Sequence, residues 1–176
     1  MMLNGKSRTI LVLVCACLGT SGAQGEIEGE FEVGEGDLTS TIEFQFTNQN
    51  QYVYTLRHDG GLTGRDAFDI IESAQPDFFT PIIYSYDFGD FLFGLGIGSD
   101  SDEGFGTAPE YLDYWHYWTM EAGDDDWTNS MIGFSDRILL DGSSDGWVFN
   151  SNDAPIPAPA TFLVALGAGL ARRRRS

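Results

Sequence analysis

All 27 acidic residues of this 176-residue chain lie between Gln24 and Asp153, and on either side of them stands an apolar run beside a cluster of bases. That partition decides which part of the chain can build a core in water. Upstream, Lys6 and Arg8 precede the apolar stretch Ile10 to Leu18 and the small residues Gly19-Thr20-Ser21-Gly22-Ala23. Charged, apolar, then small is the order of a secretory signal peptide. The apolar stretch is shorter than the roughly 20 residues that span a bilayer, so it reads as a leader to be removed. Ser21 and Ala23 satisfy the small-x-small rule and predict cleavage by signal peptidase after Ala23, leaving Gln24 as the mature N-terminus. The rival is an imperfect lipid-attachment box at Val14-Cys15-Ala16-Cys17, where Cys15 stands in the place of a small residue. Cys15 and Cys17 are the only cysteines. A mature chain beginning at Gln24 therefore has no disulfide, no Cys-ligated zinc and no Cys nucleophile.

Downstream, Pro155-Ile156-Pro157-Ala158-Pro159-Ala160-Thr161 leads into the apolar run Phe162 to Ala171, which is followed at once by Arg172, Arg173, Arg174 and Arg175. Four arginines behind an apolar run hold that end on the cytoplasmic side of a membrane. A proline motif, a short apolar helix and a terminal arginine cluster, in this order, resemble the PEP-CTERM sorting tail that exosortase recognises in Gram-negative and related bacteria. Pro157, Ala158 and Pro159 take the place of the family's Pro-Glu-Pro, without its acid. The resemblance implies an exosortase-type enzyme as partner and an exported, cell-envelope or secreted product, with a single-span membrane segment before processing. A plain membrane anchor behind a rigid proline linker is the competing reading.

Between the two ends only Arg57, Arg65 and Arg137 stand against the 27 acids, a formal charge of −24. Such a surface repels nucleic acid and anionic lipid over a Debye length of about 10 Å, which excludes a nucleic-acid role. Acidity with few aromatics would mean disorder, but this stretch holds all four tryptophans and has the apolar material for a core. The expected organisation is a signal peptide at 1–23, a flexible acidic lead-in at 24–37, a globular acidic β-rich domain at 38–150 and the sorting tail at 151–176.

Ile42, Phe44 and Phe46 alternate with Glu43 and Gln45, the period of a half-buried strand. Tyr52 to Leu56 is a second strand, and the polar Asn48-Gln49-Asn50 between them predicts a hairpin. Thr63 is expected to cap a helix carrying Ala67, Ile70, Ile71 and Ala74 on one side, with Pro76 stopping it. Phe78 to Asp87, Phe91 to Ile97 and Tyr111 to Met120 read as further strands, Ser99 to Gly106 as an acidic loop, and Gly146 to Phe149 as the closing strand. The string Gly94-Leu95-Gly96-Ile97-Gly98 lacks the strand-to-helix context of a dinucleotide site and reads as a bulged or tightly packed strand.

The hairpin, the helix with Ala67-Phe68-Asp69-Ile70-Ile71, the aromatic run Tyr114-Trp115-His116-Tyr117-Trp118, Trp127, Gly133, Asp141-Gly142 and Asp145-Gly146-Trp147-Val148-Phe149 are together similar to a small exported domain related to the C-terminal β-grasp domain of transcobalamin and intrinsic factor. The similarity spans about Leu38 to Phe149. It implies an α+β, β-grasp-like fold, a sheet wrapping one helix, and in cobalamin-binding relatives a face that contacts a corrinoid. No ligand residue carries over.

His58 and His116 have no second His or Cys at zinc spacing, and no Gly-x-Ser-x-Gly elbow is present. Asp100, Asp102 and Glu103, and Asp124 to Asp126, offer oxygens for Ca2+ but not in EF-hand order, so a solvated loop is the expectation and no cofactor is assigned. Trp115, Tyr117, Trp118 and Trp127 form either core or a platform for a sugar or flat cofactor. The expected product is a non-enzymatic surface or matrix protein, with an extracellular polysaccharide as a candidate partner. A corrinoid- or glycan-binding module and a secreted hydrolase are the alternatives.

Overall fold

A computed structural model describes residues 26–156. The expected cleavage point at Ala23 and Gln24, and the tail with Pro157, Ala158, Pro159 and the arginines 172–175, lie outside the described residues. The fold is α+β, mostly strand with one short helix. In chain order the elements are β1 (Glu26–Gly34), β2 (Leu38–Gln45), β3 (Asn50–His58), α1 (Gly64–Ala74), β4 (Phe79–Tyr86), β5 (Gly89–Ile97), β6 (Asp100–Glu103), β7 (Trp115–Met120), β8 (Thr128–Asn129) and β9 (Ser144–Phe149). Among the described residues no helix is long and apolar enough to cross a membrane.

Six strands form one mixed sheet in the order β1-β3-β2-β9-β7-β8, and β4-β5-β6 form a second, antiparallel sheet. The expected hairpin is β2–β3, with Ile42 opposite Tyr54 and Phe44 opposite Tyr52. The last strand, β9, pairs in parallel with β2 at the centre of the sheet, which puts Phe44 beside Trp147. Period two then sends Ile42, Phe44, Phe46, Tyr52, Tyr54 and Leu56 to one face. All six are buried there.

Helix α1 packs Ala67, Phe68 and Ile71 onto that face. The Thr63 hydroxyl accepts from the Asp66 N–H at 3.1 Å while the Asp66 carboxylate accepts from the Thr63 N–H at 3.0 Å, a reciprocal cap. Two more of the free N–H groups at the helix start are taken up by the loop before β9: Gly64 donates to the Arg137 carbonyl at 2.9 Å and Arg65 to that of Phe134 at 3.2 Å. Gly64 is required there, since a Cβ would lie 2.7 Å from the Phe134 oxygen. The small sheet lays Phe79, Leu92, Leu95 and Ile97 onto the same core. Phe44 is its centre, with ring contacts to Tyr54, Phe68, Phe79 and Trp115 at 5.5 to 6.4 Å.

Two segments differ from their expected form. Residues 26–34, read as part of a loose lead-in, are strand β1, paired in parallel with β3. Its acids alternate with Ile27, Phe31 and Val33, so one side of an acidic strand still reaches the core, and Phe31 stacks on Tyr54 at 5.0 Å. Residues 100–103, read as loop, are strand β6. Its carboxylates are held by the β2–β3 turn: Asp100 accepts from Asn48, Asn50 and Tyr52 at 2.8 to 2.9 Å, and Asp102 from the Thr47 N–H at 2.9 Å.

The far face of the large sheet is also covered, in part by the chain beyond β9. Pro155 is buried against Gly146, and Trp127 lies over the same glycine. The Ile156 N–H donates to Gln45 Oε1 at 3.1 Å, and Gln51 Nε2 donates to the Ile156 carbonyl at 3.0 Å. Residues 151–156 thus strap down onto β2 and β3.

Candidate binding surface

Strand pleating divides the four aromatic residues singled out in the sequence. Trp115 and Tyr117 point to the inner face. Trp115 is buried, edge-on to Phe46 and Phe44, with its N–H donated to the Asp102 carbonyl at 3.3 Å. Tyr117 stacks on its cross-strand partner Trp147, with centroids 4.4 Å apart and planes 18° apart. Trp118 is on the other face opposite Gly146, the residue that Trp127 covers. The structure therefore joins Tyr117 to Trp147 and Trp115 to Phe149 on the inner face, and sets Trp118 and Trp127 on the strapped side.

Where β5 meets β7 a cleft of about 250 Å³ opens, with Phe91, Tyr114, Tyr117, Ile132 and Trp147 in its wall. From Tyr117 in its wall a polar chain runs through the buried Asp145 and Arg137 to the exposed Glu121. Tyr117 donates to Asp145 at 2.5 Å, Arg137 Nε donates to the same carboxylate at 3.3 Å, and Arg137 pairs through Nη1 with Glu121. Burial pushes the Asp145 carboxyl up to about 6, although Tyr117 and Arg137 both act to hold it ionised. Burial likewise raises the Tyr117 hydroxyl, with Asp145 adding to the rise.

The wall residue Phe91 also belongs to a larger feature. A bulge in β5, with Phe93 unmatched between Ile82↔Gly94 and Ile83↔Leu92, resets the alternation of that strand. Leu92, Leu95 and Ile97 go to the core, and Phe91 and Phe93 remain half-buried. Phe105 stacks against Phe91 at 5.3 Å, Phe93 at 4.5 Å and Tyr84 at 5.5 Å, and Tyr84 meets Phe93 at 5.3 Å. At the β4–β5 turn Tyr86 and Phe88 stack at 5.1 Å with planes 3° apart. These rings are open to solvent: Tyr84 is 43%, Tyr86 45%, Phe105 56% and Phe88 84% exposed. Ile82 adds to the same face. The glycine string serves this sheet by close packing, since a Cβ on Gly94 would lie 3.0 Å from Glu103 Cβ and 3.2 Å from Ile82 Cδ1.

The two histidines, Ser40 and Asp100 are committed to structure. His58 Nδ1 accepts from the Gly60 N–H at 3.2 Å, so Nε2 carries the proton and donates to Ser40 Oγ at 2.9 Å, and Ser40 donates to the Leu140 carbonyl at 2.9 Å. A nucleophilic serine needs the opposite polarity, with its own proton aimed at the imidazole. His116 is buried, stacked on Tyr114 at 3.9 Å and bonded to the Leu112 carbonyl at 3.1 Å. Burial pushes its imidazole down. Burial opposes ionisation of Asp100, but donation from Asn50, Tyr52 and Asn48 outweighs it and holds that carboxyl below the usual range. Asp124, Asp125 and Asp126 are exposed on the loop before β8. Among the described residues no group of three or more His, Cys, Asp or Glu side chains is placed to hold a metal ion.

No family model matches this chain, and no curated protein does. The surface is thus read from its own chemistry. Sequence reasoning placed the strands that carry Tyr84, Phe91 and Phe93 but not their sidedness. The available signal was the surplus of rings in β4, β5 and Phe105 over what one inward face could hold.

Proposed function

We propose that this chain is an exported, non-enzymatic protein of the cell envelope or extracellular matrix. In this reading the leader is cut after Ala23, the tail from Pro157 to Arg175 is read by an exosortase-type enzyme, and the domain between them binds a partner through its aromatic face. The observation that carries the binding role is the group of rings Tyr84, Tyr86, Phe88 and Phe105, left exposed over the half-buried Phe91 and Phe93 on a domain that has enough apolar surface elsewhere to form its core. Contiguous apolar surface of this kind marks an interaction site on a soluble domain. A β-grasp-like fold is favoured by a leading hairpin, one helix on a single face, and β2 and β9 adjacent and parallel at the centre. The fold supplies the scaffold only. The reversed polarity of Ser40 and His58 weighs against a hydrolase built on that pair.

Fractionation of the native host tests both parts. Wild type is expected in the envelope or matrix fraction, starting at Gln24 and trimmed at its C-terminus, and deletion of Pro157 to Arg175 should abolish that location. A full-length tail retained in the membrane would reduce the tail to a simple anchor. A Tyr84→Ala/Phe105→Ala double variant should still be exported and processed but should leave the matrix fraction. If it stays there at the wild-type level, the binding surface is wrong.

A further inference from the structure

The chemistry around the open rings narrows the partner. No lysine or arginine occurs anywhere between Arg65 and Arg137, the stretch that supplies both the small sheet and β7. Carboxylates stand among the rings: Asp87 is exposed in the turn between the stacked Tyr86 and Phe88, and Glu103 is exposed beside Ile82 on the outward face. Among the described residues neither is held in an ion pair in the way Asp90, near Arg65 and bonded to Ser135, is held. The face is therefore apolar and anionic together, on a domain whose formal charge is −24.

That charge selects among occupants. A second copy of the domain, an anionic lipid surface and an anionic polymer would each bring like charge against like within a Debye length of about 10 Å. A cation is attracted twice, by the carboxylates and by the negative faces of the rings. A basic peptide adding itself as a strand would need an open sheet edge. Here one edge strand, β4, carries Pro81, which has no N–H to give, and the other, β6, is only four residues long. The rings are packed against one another, at 4.5 to 5.5 Å between centroids, and it is the outer, exposed parts of Tyr84, Phe105 and Phe88 that offer stacking area to the apolar faces of sugar rings.

We propose that this face takes an amine-bearing polysaccharide, a chain of deacetylated hexosamine units. The apolar faces of its sugar rings stack on the exposed parts of Tyr84 and Phe105, and its ammonium groups pair with Asp87 and Glu103. The proposal rests on the binding-surface reading above and adds the ligand class to it.

The test is titration of the purified protein with glucosamine oligomers, N-acetylglucosamine oligomers of equal length, and oligolysine. Glucosamine oligomers should bind at least about tenfold more tightly than the acetylated set at low salt, with the margin shrinking as salt rises. Asp87→Asn/Glu103→Gln should remove that margin and leave the weak acetylated binding unchanged. Tyr84→Ala/Phe105→Ala should weaken both sugars by about tenfold or more. Both double variants change exposed side chains, and unchanged thermal unfolding checks that they fold. Equal binding of acetylated and free-amine oligomers would overturn the amine assignment while leaving a binding surface in place. Tighter binding of oligolysine than of glucosamine, dependent on the same rings, would overturn it in favour of a basic protein. No binding of either sugar by a protein that still needs Tyr84 and Phe105 to reach the matrix would also overturn it.

Discussion

The two sheets of this domain are finished differently. The six-stranded sheet is covered on one face by α1 and the small sheet, and at the centre of the other, around Gly146, Gln45 and Gln51, by Trp127, Pro155 and the strap. Among the described residues the three-stranded sheet is covered on one face only, and Tyr84, Tyr86, Phe88 and Phe105 on or beside its outward face are exposed. Both are rich in aromatic residues, so composition does not distinguish them. What differs is whether a ring has neighbours on every side, and burial on every side is what converts apolar area into stability, at about 25 cal/mol per Å².

The sharpest way to break this contrast is to remove one ring from each sheet. Phe44→Ala deletes the fully buried centre of the core and should lower unfolding free energy by about 3–5 kcal/mol, read from urea melts. Arg137→Ala should cost up to about 3–5 kcal/mol above about pH 7, because it takes from the buried Asp145 carboxylate the cation that helps to hold it ionised and leaves Tyr117 as its donor. Acidity gives a smaller and signed effect. The Asp145 carboxyl binds its proton more tightly in the folded chain, at about 6 against 3.8, so its contribution to stability is full below about pH 4 and lost as pH rises through about 6. In Asp145→Asn that fall disappears, and the difference between variant and wild-type stability should change between about pH 4 and 6 and be flat above about 7. Asp66 and Asp100, held below their usual range, act in the opposite sense and lose their contribution as pH falls. The smallest effect belongs to Phe105→Ala, expected within about 0.5 kcal/mol of wild type. A loss comparable to that of Phe44→Ala would mean that the outward rings are a second core.

The same contrast explains what the sequence disclosed. The hairpin was legible because Ile42, Phe44 and Phe46 alternate with polar residues, and the helix because Thr63 opens it and Pro76 closes it; both signals lie within a few neighbouring positions. β1 was not, because Glu26, Glu28, Glu30 and Glu32 outweigh Ile27, Phe31 and Val33 in any local reading, although the period of two is there. β6 was less legible still. Its order depends on Asn48, Asn50 and Tyr52, about fifty positions away, which hold Asp100. For the aromatic clusters, Trp115 and Tyr117 are legible because they lie two positions apart in one aromatic run, whereas Tyr84, Phe93 and Phe105 are assembled only by strand pairing and a bulge. Residue type says that a ring is apolar, not which side of a sheet it will occupy.

The strap has a mechanical consequence. A pull on the chain beyond Ile156 is delivered first to Gln45 and Gln51, and so into β2 and β3 rather than to a free end. Once those two bonds part, the load passes to β9, whose pairing with β2 is parallel over Thr41↔Ser144 to Gln45↔Val148. Force directed along β9 loads the hydrogen bonds of that ladder sideways and together, instead of opening them one at a time from a hairpin end. A domain tethered from its C-terminal side and bound through the proposed aromatic face would resist drag as a unit.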